Sequence, residues 1–133
     1  MESSALVAAL LEHDLTVART LPRETRYVTS ALAFAETARA IVRARVAGRL
    51  TPEQEQAAFR GLRTFRRRCF VLDVDDAVVN RVGRPFPVEP IRTLDAIHLA
   101  TAERLDESPQ LVTIVTRDGR VRANAQALGY AVA

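Results

Sequence analysis

Cysteine, lysine and tryptophan are scarce or missing in this chain of 133 residues. The one cysteine, Cys69, cannot form a disulfide within the chain, which excludes a disulfide-stabilised scaffold. No apolar run reaches the roughly 18–20 residues of a membrane-spanning helix. Residues 5–11 are apolar, but Glu2 precedes them where a signal peptide would carry basic residues. These absences predict a cytoplasmic protein.

The composition is that of an ordinary globular protein, with 48% hydrophobic and 26% charged residues. We therefore expect residues 1–133 to form a single domain. All 19 basic residues are arginines, and the net charge is +3. The fork-shaped guanidinium group suits phosphate. Codon bias also produces arginine without lysine, so this charge favours nucleic-acid binding only weakly.

Short apolar runs alternate with longer helical patterns along the chain. The predicted strands are residues 70–72 and 111–116, with weaker candidates at 26–28 and 130–132. The predicted helices are residues 3–11, 30–47, 52–68, 75–82, 93–105 and 120–128. The helices at 52–68 and 93–105 are predicted to begin at caps formed by Thr51 and Thr93. This alternation predicts an α/β fold with a largely parallel sheet that is covered on both faces.

The beginning of the chain departs from that pattern. A parallel α/β domain normally opens with a buried strand that leads into its first helix. Here Met1 and Glu2 lead directly into the first predicted helix. The first strand is therefore predicted to be truncated or missing, or else the true start of the protein lies upstream.

Four acidic residues stand against apolar or small neighbours. Glu36 lies within the alanine-rich segment 31–40, and Asp95 lies in the first turn of an apolar helix. Asp118 follows the strand predicted at residues 111–116, and Glu2 precedes the first helix. Each acid alone fits a structural role, because carboxylates stabilise helix N-termini and begin turns.

Considered together, the four acids suggest a metal site. A buried carboxylate is costly unless it is paired, and Arg39 is the only close helical partner of Glu36. Two such charges about 4 Å apart repel by roughly 4 kcal/mol at an effective dielectric near 20. A divalent cation relieves this repulsion, and oxygen ligands favour Mg²⁺ or Mn²⁺ over zinc. Such an ion can activate water and neutralise charge on a phosphodiester.

The segments around these acids resemble the PIN-domain family, in particular the VapC-type toxin ribonucleases of toxin–antitoxin pairs. The most specific segment is 92–102, RTLDAIHLATA, which is similar to the third acidic motif of the family. Residues 115–118 are similar to the fourth motif, 31–40 to the second and 2–6 to the first. The resemblance extends over essentially the whole chain.

This resemblance implies a PIN-like three-layer α/β fold, with a mostly parallel sheet flanked by helices. It implies that Mg²⁺ or Mn²⁺ is held by four catalytic residues: Glu2, Glu36, Asp95 and Asp118. Ser4 and Thr116 would be polar neighbours that orient bound water or a ligand. The implied substrate is RNA, and the implied partners are a second copy of the chain and a VapB-like antitoxin. Glu2 departs from the aspartate that is usual in the family.

Two alternatives remain open at this stage. The chain could be a catalytically weakened PIN-fold module that binds RNA or an antitoxin without cleaving, or a nuclease that acts on structured DNA. His98 is predicted to be a hydrogen-bonded core histidine, and His13 to lie in a polar turn. Arg117 and Arg120 flank Asp118 and are placed to hold a scissile phosphate.

Overall fold

The computed structural model describes residues 1–11 and 26–133, which contain six α-helices. The helices are α1 (Ser3–Leu11), α2 (Ala31–Val46), α3 (Pro52–Arg66), α4 (Asp76–Val82), α5 (Thr93–Glu103) and α6 (Gly119–Ala127). All six predicted helices are present, and their ends lie within two residues of the prediction. The prediction for His13 falls outside the described residues. None of the six helices is both long enough and apolar enough to cross a membrane.

Four short strands accompany these helices. They are β1 (Tyr27–Ser30), β2 (Cys69–Leu72), β3 (Thr113–Ile114) and β4 (Ala131–Val132). β1 pairs in parallel with β2, and β3 pairs in parallel with β4. The strand predicted at residues 111–116 is wrong in length. It is shorter because Pro109–Leu111 form a 3₁₀ turn and because β4 offers only two residues for pairing.

Local capping explains where most of the helices begin. The Thr51 side chain accepts from the main-chain N–H of Gln54, and the Gln54 side chain accepts from the N–H of Thr51, so both close the start of α3. The side chain of Ser30 caps α2 in a similar way. Thr93 was expected to cap α5, and this expectation is wrong. The cap position is Arg92, whose side chain makes no capping hydrogen bond, so Thr93 is already helical.

The helices form two groups, and each group has its own apolar core. One core, between α4, α5 and α6, contains Leu99 and Val121. The other, between α2 and α3, contains Ile41 and Leu62. β1 contacts a helix of each group, α2 and α5. Parallel strands with helices on both sides confirm the predicted α/β class.

Met1 and Glu2 lie between the two strand pairs. The terminal nitrogen of Met1 donates to the carbonyl of Val28 in β1 at 2.7 Å. The N–H of Glu2 donates to the carbonyl of Val115, just after β3, at 2.9 Å. These two residues lie between β1 and β3, where a central strand would run. They also place Glu2 at the carboxyl ends of both neighbouring strands.

Asn124 holds the proline-rich loop against α6. Its side chain is fully buried. Its amide oxygen accepts from the N–H of Val88 at 2.9 Å, and its amide nitrogen donates to the carbonyl of Val88 at 2.8 Å. The same nitrogen donates to the carbonyl of Arg120 one turn earlier at 3.1 Å. Asn124 thus satisfies main-chain groups of a loop that could not pair in a sheet.

We expect Asn124→Ala to lower the free energy of unfolding by about 2 kcal/mol, because Val88 loses its donor and its acceptor together. Denaturant unfolding followed by circular dichroism measures the change. Gln126→Ala, at an exposed position of the same helix, is the matched control and should be nearly neutral. Equal stability of the two variants would contradict this role for Asn124.

Candidate active site

Glu2 forms the buried centre of the candidate site. Its Oε1 atom accepts from Ser3 Oγ at 2.6 Å and from the N–H of Ser4 at 2.9 Å. Its Oε2 atom accepts from Thr116 Oγ1 at 2.8 Å and also from Ser4 Oγ. Burial opposes the charge of Glu2, but the hydrogen bonds together outweigh it and lower the pKa of the carboxyl group. Glu2 is therefore held as a carboxylate despite its burial.

Ser4 and Thr116 connect Glu2 to the segment that follows β3. Ser4 Oγ accepts from the N–H of Arg117 at 2.8 Å. Thr116 Oγ1 accepts from the N–H of Asp118 at 3.0 Å. Each hydroxyl thus accepts from this segment while it donates to the Glu2 carboxylate. The two polar neighbours expected from the resemblance do contact the first acid.

Asp118 caps α6 at the edge of the site. Its Oδ1 atom accepts from the N–H of Arg120 at 2.7 Å and from the N–H of Val121 at 3.2 Å. These bonds satisfy main-chain donors at the start of the helix and fix the orientation of the carboxylate. The structural role expected for this acid alone is therefore real, and it also holds the charge of Asp118 beside the other acids.

Burial and neighbouring negative charges disfavour the ionised form of Asp95. Its pKa is raised by burial first, and then by the negative charges of Asp118 and Glu2. Arg92 and His98 oppose the shift, but they do not cancel it. Its Oδ2 atom is buried and has no hydrogen-bond partner among the described residues. Three of the predicted acids therefore share one electrostatic environment, and one oxygen in it is left unsatisfied.

Glu36 reaches this environment through His98. The two side chains meet at 2.6 Å, between Glu36 Oε1 and His98 Nε2. The same nitrogen lies 3.9 Å from Glu2 Oε1. His98 is buried, which confirms the prediction of a hydrogen-bonded core histidine. Arg39 was the only partner foreseen for Glu36, whereas the partner found is a histidine of another helix.

The chemistry of these donors fits a hard divalent cation. All four predicted ligands are carboxylates, and Asp95 Oδ2 is a buried oxygen in need of a positive partner. In the described part of the chain, however, no three His, Cys, Asp or Glu side chains form a ready-made metal site. Glu2 and Glu36 are engaged instead by hydroxyls and by His98.

An open pocket of about 520 Å³ borders Glu36. Two arginines line it, Arg43 and Arg117. Arg43 follows Glu36 by seven residues on α2, so it lies two turns, about 10 Å, further along the same helix face. The other lining residues are small or apolar: Ser3, Ser4, Val7, Ala8 and Ala40. The pocket therefore combines a carboxylate, two guanidinium groups and room for a chain-like ligand.

Sequence reasoning missed three contributors to this site. Ser3 donates to Glu2, Arg43 lines the pocket, and His98 holds Glu36. A signal existed for His98, which lies three residues after Asp95, and for Arg43, which shares a helix face with Glu36. No local pattern distinguishes Ser3 from an ordinary residue of the first helical turn.

Comparison with known proteins places these residues in a family context. The family model described as PIN domain matches residues 1–126, a range that contains all four acids. Ribonuclease VapC46 of Mycobacterium tuberculosis is 36% identical over 134 residues, covering 99% of this chain and 93% of that protein. Ribonuclease VapC35 of the same species is 38% identical over 109 residues, covering 82% of this chain and 73% of that protein.

We expect Asp95→Asn to raise the melting temperature of the metal-free protein at pH 7 by about 2–4 °C. A raised pKa means that folding disfavours the charged form, so removing the charge stabilises the fold above that pKa. The gain should vanish as the pH falls through the raised pKa toward the ordinary value of 3.8. Thermal melts of Asp95→Asn and of the exposed control Asp73→Asn, from pH 7 to pH 3, test this. A gain that persists at pH 3, or that Asp73→Asn shares, would contradict it.

Proposed function

Because the chain belongs to the PIN-domain family, we propose that it is a metal-dependent endoribonuclease, the toxin of a VapBC-type toxin–antitoxin pair. The family match and the parallel strands flanked by helices confirm the predicted PIN-like α/β fold. The names of the relatives, ribonuclease VapC46 and ribonuclease VapC35, support RNA as the substrate class. The observation that supports the metal dependence is Asp95, which lies near other negative charges and has a buried oxygen with no hydrogen-bond partner in the described part of the chain.

The proposed ligands of Mg²⁺ or Mn²⁺ are Glu2, Glu36, Asp95 and Asp118. When bound, the ion supplies Lewis-acid charge and lowers the pKa of a bound water. The hydroxyls of Ser4 and Thr116 fix the Glu2 carboxylate, and His98 fixes Glu36. The bonds to α6 fix Asp118. The chain thus orients three of the four carboxylates in advance, which limits the reorganisation needed at the site.

The pocket beside Glu36 is the proposed path of the RNA backbone. Phosphates supply most of the affinity in such complexes, and arginine matches their geometry with two parallel donors. Arg43 and Arg117 face the same pocket as Glu36, which would place phosphates next to the carboxylates. The sequence contains few aromatic residues, 5% in all, so base stacking contributes little to this proposal.

The proposed partners follow from the family and not from a surface of this structure. The VapC names of the relatives support a VapB-like antitoxin that covers the site. The homodimer and the cytoplasmic location stay predictions from the sequence. DNA as substrate also stays open, since the same carboxylates could act on it.

One observation favours a second candidate, a PIN-fold module that binds RNA or an antitoxin without cleaving. The carboxylates of Glu2 and Glu36 are already engaged by hydroxyls and by His98. An ion would have to compete with these contacts. A chain in which they persist could still bind RNA through its arginines.

For the parent protein we expect cleavage of a fluorogenic single-stranded RNA that requires Mg²⁺ or Mn²⁺ and stops with EDTA. Asp95→Asn and Glu36→Gln should each reduce the rate at least about 100-fold, because each removes charge on which the ion depends. Asp73→Asn, an exposed acid outside the site, should cut at the parent rate. A DNA strand of matched sequence, assayed in parallel, decides the substrate class.

A thermal melt separates the two candidate functions. Millimolar Mn²⁺ should raise the melting temperature of the parent by mass action on the folded state, and should leave Asp95→Asn unchanged. RNA cleavage by Asp95→Asn at the parent rate would contradict the assignment of Asp95 to the catalytic site. If neither Mg²⁺ nor Mn²⁺ raises the melting temperature of the parent and no RNA is cut, the non-cleaving module is the better description.

Arg43→Gln should weaken RNA binding about tenfold at low salt, because one phosphate contact is lost. The slope of log affinity against log salt should fall by about 0.7 for a single strand. Binding is measured by fluorescence anisotropy in an Asp95→Asn background, which prevents cleavage. Arg39→Gln is the matched control, an exposed arginine of the same helix that does not line the pocket. Equal effects of the two variants would argue against the pocket as the RNA path.

A further inference from the structure

Five exposed arginines lie close together in the chain at the end of α3. They belong to residues 60–68, and residues 56–72 contain no acidic side chain. A sixth exposed arginine directly precedes β1. We call these six residues the arginine surface: Arg26, Arg60, Arg63, Arg66, Arg67 and Arg68.

The register of β1 and β2 brings Arg26 beside Arg68. Tyr27 is paired with Cys69 in the parallel ladder, so the residues that precede them enter the sheet side by side. Neighbouring strands lie about 4.8 Å apart, which brings two positive charges together at this end of the sheet. The ring of Tyr27 also contacts that of Phe65 in α3, with 5.8 Å between the centroids. Two distant parts of the chain therefore contribute to one basic patch.

No acidic side chain within residues 1–11 and 26–133 forms an ion pair with the arginine surface. The arginine ion pairs of these ranges use Arg45, Arg81 and Arg104 instead. The C-terminal end of α3 attracts positive charge, but its dipole is equivalent to only about half a negative charge. Six arginines exceed what this helix end can balance. A bound polyanion would relieve the remaining repulsion.

The guanidinium groups of the arginine surface are placed to donate hydrogen bonds outward. That of Arg66 lies over the ring of Phe34, 5.1 Å from its centroid. Guanidinium N–H donors lie in the plane of the group, so stacking occupies its face and leaves the donors at its edge available. Arg63 and Arg67 are four residues apart, about 6 Å along the helix axis and on the same face. Such repeated forks suit successive phosphates.

The surroundings of these arginines favour a nucleic-acid backbone over an acidic protein as the ligand. The exposed side of α3 carries no large apolar side chain. Leu62 is buried in the core, and Phe59 and Phe65 pack against it. Protein interfaces usually centre on buried aromatic or apolar side chains. Interfaces with nucleic acids are more polar and much more positively charged, as this surface is.

The arginine surface and the acids lie toward opposite ends of the strands. Arg26 precedes the first residue of β1, whereas Glu2 lies at the carboxyl end of this strand. β1 contains four residues, which span about 13 Å. A short strand held in the pocket beside Glu36 would leave the arginine surface free. A longer strand could contact both.

We propose that the arginine surface binds the phosphate backbone of RNA beyond the segment that is held at the site. The choice of RNA rests on the proposed function, to which the surface adds a preference for long strands over short ones. Contacts to phosphates carry no sequence information directly, so the added affinity should not depend on base sequence. It should fall steeply with salt.

Fluorescence anisotropy in the Asp95→Asn background tests the proposal without cleavage of the probe. The probes are labelled uridine strands of about 30 and about 4 nucleotides. Arg63→Gln combined with Arg67→Gln should weaken binding of the long strand at least about tenfold at low salt. The slope of log affinity against log salt should fall by about 1.4, because two phosphate contacts are lost. The short strand should bind as it does to the background protein.

A matched pair of variants controls for net charge. Arg49→Gln combined with Arg84→Gln removes the same charge from exposed positions outside the arginine surface and should leave both affinities unchanged. Arg60→Gln combined with Arg68→Gln should reproduce the loss for the long strand, which excludes a local folding defect of the first pair. Thermal melts of all three double variants should match that of the background protein.

Three results would each overturn the proposal. The first is an equal loss of long-strand affinity in the control pair, and the second is an equal loss for both strand lengths. The third is displacement of the long RNA by poly-glutamate as effectively as by unlabelled RNA, which would assign the surface to an acidic protein.

Failure of this proposal is distinguishable from failure of the nuclease function. If the parent cleaves RNA and neither arginine pair alters binding of the long strand, only the arginine surface is wrong. If both arginine pairs lose long-strand binding while the parent cleaves no RNA and gains no thermal stability from Mg²⁺ or Mn²⁺, the nuclease function is wrong and the arginine surface is supported.

Discussion

The crowding of carboxylates around a buried glutamate is the constraint on which the rest of the site depends. Glu2 loses its hydration and keeps its charge because Ser3, Ser4 and Thr116 surround it with donors. That retained charge is in turn one of the causes that raise the pKa of Asp95. The hydroxyls of Ser4 and Thr116 also accept from the segment that carries Asp118. The hydrogen bonds that stabilise the charge of Glu2 therefore also position Asp118. The charge that Glu2 retains disfavours the ionised form of Asp95.

Helix N-termini explain how the fold tolerates this crowding. Glu2 directly precedes α1, Asp95 lies in the first turn of α5, and Asp118 is the cap of α6. Each carboxylate thus lies at the positive end of a helix dipole, which offsets part of the mutual repulsion. Glu36 is the exception, since it lies within α2 and gains nothing from a helix end. Its carboxylate is instead hydrogen-bonded to His98.

The sequence was informative wherever the determining interactions are local. The Thr51 cap identified the start of α3, and the isolated acids included those whose charges act on Asp95. Contacts that depend on distant parts of the chain were not predictable in this way. The pairing of Glu36 with His98 joins residues 62 positions apart, whereas helical spacing offered only Arg39. The length of β3 likewise depends on β4, so the apolar run at residues 111–116 predicted too long a strand.

Glu2 joins the strands to the site, which links the stability of the sheet to the chemistry of the acids. The main chain of Glu2 bonds to Val115, and its side chain bonds to Thr116, so both fix the residue against the end of β3. On the other side, Met1 connects it to β1. Glutamate carries one methylene more than aspartate, so its carboxylate depends more on these anchors for its position.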